Sequence, residues 1–170
     1  MTDQPGAPRP TQYAAQAELL EQLRALILAV DPEQYRGGDQ RLPGSTFGRQ
    51  VRHCIDHLLQ FLAGLSVGTI DYGARERDAE LELNPASALA RLDAIEQQLA
   101  QLEPLPEALV LRLEDGTTVP TSAARELEFL NSHTVHHLAV LGLLARELGV
   151  EVPEAVGMAF STLAHRQSIA

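Results

Sequence analysis

Residues 122–148 read SAARELEFLNSHTVHHLAVLGLLAREL, and the fold turns on reading this stretch as one long helix from about Ser122 to Leu148. His133 and His137 are four apart, so on a helix they stand about 40° from each other on one face. Leu130, Leu141 and Leu144 share that face, with Glu126 two turns upstream. Imidazoles on an apolar stripe are costly to bury unless something binds them. Five of the six histidines fall in two clusters, His53/His57 and His133/His136/His137. A metal held between two helices is the leading expectation.

Outward from this stretch, hydrophobic periodicity predicts three more helices. The first runs from about Thr11 to Val30, with Leu19, Leu20, Leu23, Leu26, Ile27 and Val30 at helical spacing. Asp31-Pro32 ends it, and Gly37-Gly38 and Pro43-Gly44 mark a long connection. The second starts with Ser45 or Thr46 as N-cap and reaches about Leu65, with Phe47, Val51, Ile55, Leu58 and Leu62 as its stripe. A charged loop spans Gly68 to Asp78. Asn84-Pro85 opens the third helix, whose core face is Leu89, Leu92, Ile95, Leu99 and Leu102; Pro104 and Pro106 stop it. Between it and the last helix, two β-prone runs around Asp115-Gly116 predict a small type I′ hairpin. Gly149 ends the fourth helix. The tail is expected to hold a short helix before Ser161-Thr162. The fold class expected is all-α: a four-helix bundle with a long connection and a small β-hairpin before helix four. Residues 1–10 read as a loose arm and residues 11–170 as a single domain.

Composition narrows the function. Hydrophobic residues make up 45% of the 170, enough for a sizeable core. Thirteen arginines and no lysine stand against 23 acids, a formal charge of −10. That balance repels nucleic-acid phosphates and anionic membrane, so no nucleic-acid partner is expected. No apolar run approaches the ~20 residues a membrane span needs, and the N-terminus lacks a signal-peptide pattern, so a cytoplasmic location is expected. Cys54, the single cysteine, cannot form an internal disulfide and reads as a small buried hydrophobe.

A helical i, i+4 histidine pair supplies two nitrogens, and a third from a facing helix completes a three-histidine set. Three protein ligands leave room for water or substrate, the layout of catalytic zinc. The third ligand is open on pattern alone: the helical wheel favours His57, which borders the apolar stripe, over His53. His136 lies around the helix beside Phe129, Val140 and Leu143 and is expected to pack or hydrogen-bond.

Two motifs carry a family resemblance. Thr46-Phe-Gly-Arg-Gln-Val-Arg-His53, followed by Ser132-His133-Thr-Val-His136-His137, resembles the DinB/YfiT-like superfamily of bacterial four-helix metalloproteins. The resemblance spans about residues 45 to 145. It implies His53, His133 and His137 as metal ligands; it assigns no role to His57, which stands as an alternative ligand or a group supporting one. It also implies two reaction types, metal-dependent hydrolysis and transfer or isomerisation with a low-molecular-weight thiol. Leu138-Ala139-Val140 stands where family members often carry Arg-Gly-Gln, a departure that bears on the chemistry more than on the metal.

Imidazole ligands suit zinc or nickel, with iron or manganese as further occupants. Glu126 is a candidate base toward water a metal would activate, or a carboxylate that orients a ligand imidazole. Arg75 and Arg77 are candidates to clamp a substrate carboxylate. The expected partner is a small molecule, such as a low-molecular-weight thiol, and a homodimer through outer residues such as Phe129 and Leu143 is a further expectation. The alternatives are a non-catalytic metal-stabilised binding or stress-response module, or a plain structural bundle.

Overall fold

The computed structural model describes residues 12–37, 45–102 and 106–169. The arm expected over residues 1–10, most of the connection through Gly38 and Pro43-Gly44, and the Pro104 stop lie outside these. The described residues are mostly helical. Four long helices dominate: α1 (Gln12–Ala29), α3 (Phe47–Val67), α5 (Pro85–Leu99) and α6 (Ala123–Glu147). Short helices α2 (Pro32–Arg36), α4 (Ala79–Leu83) and α7 (Phe160–Ile169) join or follow them. α1 lies against α5 and α6, and α3 lies against the same two. None of the described helices is long and apolar enough to cross a membrane.

Apolar stripes face inward as the periodicity predicts. All six stripe residues expected of α1 are buried, as are Phe47, Val51, Ile55 and Leu58 of α3 and Leu92, Ile95 and Leu99 of α5. Each such side chain contributes roughly 1.5–3 kcal/mol of transfer free energy. Helix ends follow local chemistry. Thr46 caps α3 by accepting from the Arg49 amide at 3.0 Å, and Ser122 caps α6 by accepting from the Arg125 amide at 3.2 Å. Gly149, at φ 80°, follows the last turn of α6 in the left-handed region. Gly48 lets α3 approach α4: a Cβ there would run into the Glu82 carbonyl and the Tyr35 ring.

Four details depart from the sequence reading. Asp31 does more than end α1, since it caps α2 with a reciprocal bond from Gln34. The stretch 68–78 is not plain loop. Its β1 (Thr69–Ile70) pairs in parallel with β2 (Leu109–Arg112), and a 3₁₀ turn covers Tyr72–Ala74. β2 pairs antiparallel with β3 (Thr118–Thr121), Leu109 opposite Thr121. The hairpin itself is present, but its turn is not type I′. Gly116 is at φ 83° and Asp115 is not at positive φ, while the Gly116 amide donates to the Leu113 carbonyl at 2.9 Å. That is a three-residue loop closed by a left-handed glycine. Finally, α7 starts at Phe160, so Ser161 and Thr162 lie in its first turn rather than beyond a helix.

The sheet braces the segment beside the histidines. Asp71 accepts from the Gly73 and Ala74 amides and pairs with Arg112 of β2 at 3.4 Å. Thr121, the last residue of β3, donates to buried Glu126 on α6 at 2.6 Å. One small sheet therefore ties the 71–75 segment and the start of α6 into one frame.

Candidate metal centre

α3 and α6 pack together and turn their histidines toward a shared point. His53 Nε2 lies 3.2 Å from His133 Nε2. The rings of His53 and His137 are 4.6 Å apart between centroids, and those of His133 and His137 4.5 Å. One ligand nitrogen from each of the three falls within 4.8 Å of the others. Tetrahedral zinc with bonds of 2.0–2.1 Å requires nitrogens about 3.3 Å apart, so the closest pair already stands at ligand spacing. Two nitrogens at 3.2 Å can share one proton at most, and three imidazole donors suit a divalent cation.

Burial keeps these rings neutral. It pushes His53 from 6.5 to about 3 and His133 to about 2, and neighbouring imidazoles add to both shifts. His137 falls to about 4, again chiefly through burial. Neutral imidazole is the form that binds metal.

Hydrogen bonding assigns the faces of the rings. His137 Nδ1 is 2.6 Å from Gln50 Oε1, and the Gln50 amide nitrogen donates to Ser45 Oγ at 2.6 Å. With the amide held this way, Nδ1 carries the proton and Nε2 is left bare toward the cluster. Gln50 and Ser45 escaped the sequence reading, although Gln50 stands one helical turn before His53 on the same face. His133 Nδ1 is buried without a hydrogen-bond partner among the described residues.

His57 lies in the same patch, its ring 4.0 Å from that of His133. Its Nδ1 donates to the His53 carbonyl at 2.9 Å, which leaves Nε2 to accept from the Arg75 guanidinium at 3.0 Å. Both nitrogens are occupied, and His57 is outside the converging set. Periodicity pointed to His57 because it is the more deeply buried of the two; convergence depends on the facing helix, which one wheel does not contain.

The remaining candidates separate. Glu126 is fully buried but does not reach a histidine. Its oxygens accept from Tyr72 at 3.0 Å, Thr121 at 2.6 Å and Arg125 at 2.8 Å, and Tyr72 in turn stacks on His57 at 5.4 Å. Arg75 sits beside the cluster, whereas Arg77 is exposed and donates to the Arg75 carbonyl at 3.5 Å. Phe129, expected on an outer face, packs against Tyr72 and His133 instead, while Leu143 is 64% exposed. His136 is exposed, edge-on to His137. Cys54 is a buried free thiol held up at about 12 by burial, away from the histidine set.

A helical frame offering three converging neutral imidazoles defines a protein with a candidate divalent-metal site. The chain belongs to the DinB superfamily, whose family profile matches residues 12–141 and so takes in all three histidines. No curated protein matches the chain.

Proposed function

We propose that this DinB superfamily member is a four-helix-bundle metalloenzyme that holds a divalent metal through His53, His133 and His137. Zinc or nickel is the preferred occupant, with iron or manganese next. A metal bound there supplies Lewis acidity to an oxygen or a thiol sulfur of the substrate. The reaction is hydrolysis or transfer to a low-molecular-weight thiol, acting on a small molecule. One observation carries the catalytic reading: the donor set counts three among the described residues, with His57 already committed elsewhere. Three protein ligands are the layout of a working site rather than a closed structural one.

In this reading the chain's own groups divide the work. Gln50 holds His137 in the ligating tautomer. His57, Tyr72 and Glu126 form a wall beside the cluster that limits water there. Glu126 acts as a positioning residue through Tyr72 and not as a base. The protein is cytoplasmic, where a buried thiol such as Cys54 stays reduced. A homodimer would cover exposed Leu143.

Elemental analysis of purified wild type and of the His133→Ala variant tests the site. About one metal per wild-type chain and little in the variant is the expected result. Equal metal in both would remove the proposal. A wild type that binds one metal but shows a fourth protein ligand in its absorption spectrum would favour a non-catalytic, metal-stabilised module.

A further inference from the structure

Arg75 is one of several arginines that form no ion pair among the described residues: Arg36, Arg77 and Arg146 donate to backbone carbonyls, whereas Arg75 meets a ring nitrogen. Arg24, Arg49, Arg52, Arg112, Arg125 and Arg166 each face a carboxylate. Arg75 is half-buried, and its guanidinium has no carboxylate at salt-bridge distance among the described residues, although the Asp56 carboxylate acts on it through space; its hydrogen-bond partner is neutral His57. A hydrogen bond to a neutral imidazole compensates a partly desolvated charge only in part. The His57 ring stands 4.4 Å from His53 and 4.0 Å from His133, so one imidazole separates this guanidinium from the candidate metal site. With a dication in place, two positive centres would flank His57, an arrangement that a negative ligand between them relieves.

Arg75 is also held where it is. Asp71 and Arg112 anchor the segment on one side, and Asp78 caps α4 on the other by accepting from the Glu80 amide at 2.9 Å. Arg77 between them sits at φ 56°, a conformation that a non-glycine residue keeps only when its surroundings impose it.

Resting on the metal reading above, we infer that the site takes a substrate bearing a carboxylate, with Arg75 keeping Nη1 on His57 and gripping the carboxylate through its Nε and Nη2 edge in a two-pronged contact. The nearest other arginines do not add a second charge. Arg52 is committed to Asp56 and Glu82, and Arg77 is exposed. A single guanidinium matches a single negative charge, and its planar fork matches the two oxygens of a carboxylate.

The test uses full-length protein loaded with cobalt(II), titrated with acetate and separately with azide while the visible cobalt spectrum is followed. In Arg75→Gln the acetate affinity should fall roughly ten- to a hundredfold, the worth of a charge-assisted hydrogen bond. Azide, which lacks the paired oxygens, should lose no more than about threefold through the missing charge. Arg75→Lys should restore azide binding and leave acetate weakened. An equal fall for both anions, or acetate binding within about twofold of wild type, overturns the inference while leaving the metal reading intact. Failure of wild type to take up cobalt overturns both.

Discussion

Two neighbouring patches of the α3–α6 seam handle polar groups in opposite ways. Around Glu126 the bonds close on themselves, with Tyr72, Thr121 and Arg125 all donating to one buried carboxylate. Around His53, His133 and His137, nitrogens converge without protein donors between them. Burial with completed bonding is what a stable interior does. Burial with convergent, uncompleted bonding marks a place built to receive something. Burial of a polar residue says little until its partners are counted.

The largest test of this contrast removes a ligand. His133→Ala should weaken zinc binding by more than about a hundredfold, taking roughly 3 kcal/mol per ligand, as competition with a chelating dye would read. Gln50→Ala should follow, lowering zinc affinity roughly 10- to 100-fold with the melting temperature of the metal-free protein little changed. Gln50→Glu should hold affinity at wild-type level or above, because a carboxylate accepts the His137 proton more strongly. Loss of zinc binding in both Gln50 variants would argue for a packing role instead.

The closed patch should answer differently. Glu126→Gln should cost about 1–3 kcal/mol in urea unfolding by weakening bonds to a buried acceptor. Zinc affinity in that variant should stay within about threefold of wild type, since no ligand is touched. An affinity loss as large as that of Gln50→Ala would erase the distinction between the patches.

Acid provides the gentlest probe. The three histidines have folded values of about 3, 2 and 4, below their ordinary 6.5. As pH drops through 6.5, the unfolded chain takes up protons that the folded chain refuses, so stability present above 6.5 is lost progressively down through about 4, 3 and 2, where the folded rings protonate in turn. The metal-free protein should therefore show a lower urea midpoint at pH 5 than at pH 7.5, and His133→Ala should show a smaller drop. Equal drops in both would mean that these rings are solvated.

The sequence carried the long helices because each has a periodic stripe, and three have a nameable cap: Thr46, Asn84 and Ser122 stand where side-chain logic puts them. It could not carry β1, whose two residues acquire meaning only beside Leu109–Arg112, some forty positions away. Helix α4 was too short for a period, and the turn at Asp115-Gly116 differed because Glu114 joins the loop. At the site, the i, i+4 pair His133/His137 was legible from one helix. His53 needed the family resemblance, since its own wheel favoured His57. Gln50 and the engagement of Arg75 with His57 arise from side chains meeting across elements, which no linear pattern records.

The two closest nitrogens come from residues 80 positions apart. At translation speeds of about 5–20 residues per second, His53 leaves the ribosome roughly 4 to 16 s before His133. A cluster drawn from both helices is therefore incomplete until most of α6 has been made, and its geometry is set by the packing of α3 on α6 rather than by either segment alone.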